Sequence, residues 1–199
     1  MGVDTGPCTG KGGIVELLIV LVIVVALVGW VILGYNRLVK SRVRIDEAWA
    51  QIDTQLQRRH DLIPNLVNTV KGYASHERET FEAVTNARAQ ALKVSQPGEL
   101  AEAENGLTQA LGRLMMLQEN YPDLKADANF RQLQEELAHT ENMVAGSRSH
   151  YNSAVRNYDQ ARQTFPTNIL ANMFGFEDRE YFEVETLDVR QAPSVDFGE

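Results

Sequence analysis

Two residues on one predicted helix have the spacing of a metal site. Glu136 and His139 are three positions apart and would project from one helix face, as in the Glu-x-x-His pairs of carboxylate-bridged di-iron bundles. Such a centre needs a second copy of the motif. The residues three positions before the other histidines are not acidic: they are Gln57, Tyr73 and Ser147. We therefore expect an exposed Glu–His pair, with no metal and no cofactor.

The other familiar motifs of enzymes are incomplete in this sequence. His76 and Glu77 lack the second histidine of a zinc-protease helix. The chain contains no glycine-rich phosphate loop, no CxxC pair and no GxSxG elbow. Its single cysteine, Cys8, excludes an intrachain disulfide. We predict that the protein is not an enzyme.

Two groups of polar residues suit binding better than catalysis. One group lies beside Pro64, and the other lies on the last long helix, where its members are one or two turns apart. The candidate interaction surface consists of Arg58, Arg59, His60, Asp61, Asn65, Asn152 and Arg156, with Asn157 beside it. The bland interpretation, which we favour for these residues, is a solvated helix face with cap residues. The functional interpretation is a docking surface for a protein partner.

The longest apolar stretch of the chain lies near its N-terminus. Residues Ile14–Leu33 contain one charged side chain, Glu16, in a run of Val, Ile and Leu. As a helix this run is about 30 Å long, which matches the hydrocarbon core of a bilayer. It is longer than the core of a signal peptide, and no A-x-A cleavage pattern follows it. We predict a retained transmembrane helix over residues 14–34, after a disordered leader at residues 1–13.

Basic residues are concentrated on one side of this run. Lys11 precedes it, whereas four basic residues follow it: Arg37, Lys40, Arg42 and Arg44. Under the positive-inside rule, this asymmetry predicts an outside N-terminus and a cytoplasmic C-terminal domain. The four residues are also candidate contacts for lipid headgroups, at about 1 kcal/mol each. The alternative is that they only set the topology.

After the anchor, apolar residues recur at helical spacing. Over residues 35–94 they form one stripe with gaps of three and four positions. Its main members are Ile45, Trp49, Ile52, Leu56, Ile63, Leu66, Val70 and Tyr73. Pro64 interrupts the stripe without changing its phase, which favours a kink over a reversal of the chain; a new helix capped by Asp61 stays open. A third helix is expected from the break at Ser95–Gly98 to about Glu119.

The fourth predicted helix, from about Asp127 to Gln163, shows a seven-residue repeat. Its large members are Phe130, Leu137, Val144, Tyr151, Tyr158 and Phe165. Such a repeat predicts knobs-into-holes packing at shallow angles, within the chain or between copies in a homo-oligomer. We favour packing within the chain because the other three helices also need partners.

The charge of the chain is negative and uneven. The net charge is −8, so the chain lacks the basic balance that non-specific nucleic-acid binding needs. Residues 177–199 form an acidic tail with eight acidic and two basic side chains. The tail is compatible with disorder, with packing on the bundle, or with an added strand on a partner.

Several stretches of the sequence resemble the LemA family. They are YNRLVKSRVRIDEAWAQIDTQLQRRHDLIPNLVNTVKGYASHERETFEAVTNARAQA, YPDLKADANFRQLQEELAHTENMVAGSRSHYNSAVRNYDQARQTFP and NMFGF. The block Arg58–Val67 is the most specific part, and the resemblance covers about residues 35–176. Asp159 and Ala128 depart from the family pattern, where an asparagine and an acidic residue are expected, and neither change affects the expected fold.

The resemblance implies a bacterial membrane protein with one anchor and a helical bundle over residues 35–176. It implies an up-and-down arrangement of four helices, which favours a helix boundary at Pro64. It brings no established catalytic residue, cofactor or substrate.

We therefore predict an all-α protein in which an N-terminal transmembrane helix is followed by an antiparallel up-and-down bundle of four long helical segments. Its expected location is the bacterial inner membrane, with a single pass and a cytoplasmic bundle. Its expected role is that of a non-catalytic scaffold or adaptor, since a membrane tether concentrates a binding domain near its partners. Two alternatives stay open: a self-associating membrane-shaping or lipid-surface protein, and a metal-binding or enzymatic bundle.

Overall fold

A computed structural model describes residues 12–183 of the chain. Over these residues the structure is helical and contains no strand, which confirms the predicted all-α class. The elements are α1 (Gly12–Tyr73), α2 (Arg78–Ala91), α3 (Pro97–Met116), a 3₁₀ helix (Leu117–Glu119), α4 (Pro122–Ala126), α5 (Ala128–Gln163) and α6 (Thr167–Met173). The described part thus has six α-helices where four were predicted. Most of the predicted leader, and residues 184–199 of the acidic tail, lie outside the described residues.

α1 contains both the apolar run and the first bundle helix. It is 62 residues long and continues through Pro64 to Tyr73. The helix boundary favoured at Pro64 is therefore wrong, and the unbroken phase of the stripe was the better guide. Among the described helices, α1 is the one that is long and apolar enough to cross a membrane by length and composition.

The chain divides into two compact units. Within the described residues, the anchor unit consists of residues 12–43 and of Asn157–Asp178, and the bundle unit consists of Arg44–Arg156 and of residues 179–183. α1 and α5 each contribute residues to both units.

The core of the bundle unit is built from the apolar faces of α1 to α5. Its buried members include Ile63, Leu66, Val67, Val70, Phe81, Val84, Leu107, Leu111, Leu114, Leu117, Leu124, Phe130 and Leu137. These residues recur at helical spacing in each element, so burying one stripe per helix removes their apolar surface from water.

Contacts along α1 give the direction of its neighbours. Lys71 Nζ lies 5.5 Å from the Phe81 ring, and α2 then runs back along α1. Tyr73, at the end of α1, donates its hydroxyl hydrogen to Asp127, just before α5. The Trp49 ring lies 5.3 Å from the Tyr151 ring, so α1 and α5 are antiparallel in the bundle unit.

The seven-residue repeat of α5 is confirmed in all but its last member. Phe130, Leu137, Val144, Tyr151 and Tyr158 are buried. α5 begins where predicted because Asp127 Oδ1 accepts a hydrogen bond of 2.7 Å from the backbone N–H of Phe130, as an N-cap residue does. Phe165 lies beyond the end of α5 and is 75% exposed.

Candidate functional site

The two central residues of the predicted polar group beside Pro64 lie inside the bundle unit. Arg59 and His60 are buried, and both contact Glu104 of α3, which is fully buried. Arg59 Nη1 donates to Glu104 Oε2 over 2.7 Å, and His60 Nε2 lies 2.7 Å from Glu104 Oε1. Two neighbouring residues of α1 thus hold both oxygens of one carboxylate. We call Arg59, His60 and Glu104 the buried polar cluster.

Further contacts tie this cluster to other helices. Arg59 Nη2 donates to Thr108 Oγ1 over 2.8 Å, and the Thr108 hydroxyl donates to the backbone carbonyl of Glu104. Arg59 Nη2 also lies 3.7 Å from Glu141 Oε1 of α5. Arg59 therefore contacts both α3 and α5 from its position on α1. A buried charge is costly without its partner, so these contacts specify one register of the helices.

Arg88 of α2 explains how α1 continues through Pro64. A proline has no backbone N–H, so the carbonyl of His60, four residues earlier, loses its usual helical partner. Arg88 Nε donates to this carbonyl over 2.9 Å. A side chain from another helix thus replaces the missing hydrogen bond. Sequence reasoning left a kink and a helix boundary open at Pro64, because the residue that supports a continuous helix, Arg88, lies on another helix.

The cluster is closed to ligands in this conformation. The side chains of Arg59 and His60 are 3% and 4% exposed, and that of Glu104 is 0% exposed. Both carboxylate oxygens of Glu104 are occupied by Arg59 and His60, so a substrate does not reach the imidazole or the carboxylate. The arrangement stabilises helix packing and does not form an open catalytic centre.

The rest of the predicted group stays on the surface. Arg58, Asp61 and Asn65 are exposed and follow one another on α1 at intervals of three and four residues, which places them on one face. Asp61 Oδ1 accepts a hydrogen bond of 2.9 Å from Gln57 Nε2 on the same helix. The predicted group beside Pro64 is therefore split between the core and an outer face.

The predicted group on the last long helix is split as well. Asn152 is half-buried and pairs with the backbone of Phe182 in both directions. Its Nδ2 donates to the Phe182 carbonyl over 3.2 Å, and its Oδ1 accepts from the Phe182 N–H over 2.9 Å. Arg156 and Asn157 are exposed. Asn152 thus binds this chain's own C-terminal segment.

Phe182 is the apolar residue through which that segment packs on the bundle unit. It is 3% exposed, its ring lies 6.0 Å from the Trp49 ring, and Arg148 Cζ lies 4.6 Å from its centroid. Tyr151 donates its hydroxyl hydrogen to the Glu180 carbonyl over 2.9 Å, and burial raises the pKa of Tyr151. Of the three alternatives for the acidic tail, packing on the bundle is observed for its first residues.

The other predicted residues have simpler environments. Arg37, Lys40, Arg42 and Arg44 are exposed on α1. Glu136 accepts a hydrogen bond from Gln132, four residues earlier on α5. Among residues 12–183, no group of three or more His, Cys, Asp or Glu side chains is placed to hold a metal ion.

Sequence reasoning missed Glu104, Thr108 and Arg88. Glu104 follows Leu100 by four residues and precedes Leu107 by three, so it occupies the apolar stripe of α3. An acidic residue on such a stripe indicates a buried partner and could have been found. Arg88 has no comparable signal, because nothing in its own helix points to the carbonyl of His60.

Comparison with known proteins places the chain in a family. The sequence profile of the LemA family matches residues 48–197, which is most of the chain. The chain belongs to the LemA family. The match includes the buried polar cluster, the exposed face around Asp61 and the docked segment at Phe182.

Relatives of this LemA family protein include two magnetosome proteins. It is 25% identical over 201 residues to magnetosome protein MamQ 2 of Paramagnetospirillum magneticum, covering 87% of this chain and 74% of the relative. It is 24% identical over 200 residues to magnetosome protein MamQ of Magnetospirillum gryphiswaldense, with the same coverage. It is 25% identical over 158 residues to Protein LemA of Metamycoplasma hominis, covering 77% and 72%.

Proposed function

We propose that this LemA family protein is a membrane-anchored, non-catalytic adaptor whose cytoplasmic bundle recruits protein partners at the bacterial inner membrane. One observation carries the proposal: α1 runs without interruption from the apolar run, past core residues such as Leu66 and Val70, to its end at Tyr73. No loop separates the candidate membrane span from the candidate binding surface. Tethering of this kind raises the effective concentration of a binding surface near membrane partners.

The buried polar cluster supports a binding role rather than catalysis. Its carboxylate and imidazole are the groups best suited to acid–base chemistry, yet each is engaged with the other inside the core. A general base needs to lie within hydrogen-bond reach of a substrate proton. Burial of Glu104 and His60 removes that reach.

The exposed side of α1 is the proposed recruitment surface. Arg58, Asp61 and Asn65 lie on a helix that is fixed from behind by the contacts of Arg59 and His60. A preorganised surface loses less conformational entropy on binding than a flexible one. The mixed charges of Arg58 and Asp61 would then contribute specificity.

Site-specific cross-linking tests the recruitment surface directly. A photo-reactive amino acid is placed at Arg58, Asp61 or Asn65 of the full chain in living cells, and at exposed Arg113 of α3 as the matched control. We expect the same partner band from the three α1 positions and no such band from position 113. Equal bands at all positions, or none, would contradict the proposal. A band containing a second copy of the chain would favour the self-associating alternative.

The single cysteine tests the proposed orientation. Cys8 precedes the apolar run, so an outside N-terminus exposes it to a membrane-impermeant maleimide in cells with a permeabilised outer layer. We expect labelling before the inner membrane is opened. Labelling only after inner-membrane lysis would place the bundle outside and reverse the proposed topology.

A further inference from the structure

The anchor unit carries an apolar surface outside its core. The segment Phe165–Phe176, which contains α6, has twelve consecutive residues without a charged side chain. Four large apolar side chains of this segment are exposed: Phe165 by 75%, Ile169 by 52%, Met173 by 62% and Phe174 by 48%. Ile169 and Met173 are one turn apart and share a face of α6. We call Phe165, Ile169, Met173 and Phe174 the outer apolar surface.

The opposite side of α6 packs against α1. Leu170 and Ala171 are 1% exposed. A Cβ atom built on Gly34 would lie 2.5 Å from Leu170 Cδ1, so a glycine at this position allows the close approach of α6. α6 therefore already buries its inner face on α1, and the outer apolar surface is a second apolar face that stays exposed.

Aromatic contacts reinforce this position. The ring of Tyr35 lies 5.0 Å from that of Phe174 and 5.7 Å from that of Phe176, both in edge-on geometry. Gly175 has a φ of +69° and lets the chain turn back after α6, with the Phe176 N–H donating to the Ala171 carbonyl over 2.9 Å. The turn directs Phe176 toward Tyr35.

The contact residues of α1 lie at the end of the apolar run. Gly34 and Tyr35 directly follow Leu33, where the hydrocarbon-spanning part of α1 ends. Arg37 and Lys40 follow within two turns and are exposed. This order of apolar, aromatic and basic residues is typical of the boundary between acyl chains and headgroups. α6 therefore packs at the level where the proposed span meets the headgroups.

We propose that Phe165–Phe176 is an interfacial membrane-binding element that inserts the outer apolar surface into the lipid beside the transmembrane part of α1. The inference rests on the proposed membrane anchoring. Lipid is the occupant because the surface adjoins the end of the proposed span through the contact of Phe174 with Tyr35, and because the segment has no charge to desolvate. In this position the exposed face of α6 would lie against the acyl chains while its inner face stays packed on α1.

Fluorescence quenching by labelled lipids tests the insertion. The full chain with Cys8→Ser receives one new cysteine, at Ile169 or Met173, and an environment-sensitive dye. Leu21→Cys in the apolar run is the hydrocarbon control, and Gln109→Cys, exposed on α3, is the aqueous control. Each labelled chain is reconstituted in vesicles of phosphatidylcholine and phosphatidylglycerol that carry nitroxide groups in the upper acyl chain.

The expected and contradictory results are distinct. We expect dyes at positions 169 and 173 to be quenched at least about twofold more than the dye at position 109, with a blue-shifted emission. If position 21 is quenched but positions 169 and 173 match position 109, the interfacial element is wrong and the anchor stands. If position 21 is also unquenched, the proposed anchoring is wrong as well. Circular dichroism of each variant confirms that the helices are retained.

Discussion

In the bundle unit, Arg59, His60 and Glu104 are enclosed by the core, whereas in the segment Phe165–Phe176 of the anchor unit four large apolar side chains are left exposed. The enclosed groups find their partners within the chain: both oxygens of Glu104 are engaged by Arg59 and His60. The side chains of the outer apolar surface stay about half exposed or more, although Phe174 also contacts the Tyr35 ring. Apolar surface on this scale indicates contact with another apolar phase. The comparison contrasts a buried carboxylate that is paired within the chain with an apolar surface that the chain leaves exposed.

Removal of the central carboxylate is expected to have the largest effect on stability. Glu104→Ala leaves Arg59 buried without its main partner, so we expect the free energy of unfolding of the full chain in detergent to fall by about 3–5 kcal/mol. Denaturant unfolding followed by circular dichroism measures this loss. Glu102→Ala, at an exposed position of the same helix, is the control and should change little. A loss below about 1 kcal/mol for Glu104→Ala would show that the cluster is not self-contained.

Phe182 is buried within the chain and Phe165 is exposed, so truncating each of them in turn compares the two regions. Phe182→Ala removes a ring packed near Trp49 and Arg148, and should weaken docking of the C-terminal segment by about 1.5–3 kcal/mol. Amide hydrogen exchange at residues 179–183 measures the docking. Phe165→Ala, at an exposed ring, should leave this exchange unchanged. Similar exchange in both variants would mean that Phe182 does not anchor the segment.

The bond between Arg88 and the carbonyl of His60 can be tested with a double-mutant cycle. Arg88→Ala leaves that buried carbonyl unpaired and should lower the free energy of unfolding by about 1–3 kcal/mol. Pro64→Ala restores a backbone N–H that can bond the same carbonyl, so the cost of Arg88→Ala should be smaller in that background. If Arg88→Ala costs the same free energy of unfolding in both backgrounds, Arg88 does not compensate for the hydrogen bond that Pro64 removes from α1.

The smallest effect is expected at the start of α5. The Phe130 N–H, and then the Tyr73 hydroxyl, hold the pKa of Asp127 below its usual value. Since the folded-state pKa is depressed, this contribution to stability is present above the unfolded-state pKa of about 3.9 and is lost as the pH falls through the folded-state value. Asp127→Asn keeps a capping oxygen but does not titrate. Acid unfolding of the two proteins should therefore differ below about pH 4. Identical acid profiles would contradict this assignment.

Features set by local spacing could be predicted from the sequence. The repeat of Phe130 to Tyr158 gave α5 correctly, and the apolar run gave the first part of α1. Features set by distant residues could not be predicted in this way. Arg59 and His60 resemble surface residues until Glu104 is placed opposite them, and Pro64 resembles a helix end until Arg88 supplies the missing hydrogen bond. Phe165 continues the repeat of α5 in sequence, but the helix ends before it.

Membrane extraction tests the central claim most directly. The full chain and a variant with Val22→Lys and Val25→Lys, both exposed positions in the apolar run, are expressed in cells, and their membranes are washed at alkaline pH. Charged residues at the centre of a span oppose insertion, so we expect the full chain in the pellet and the variant in the supernatant, with the helicity of the bundle retained in both. Recovery of the unaltered chain in the supernatant would contradict the account.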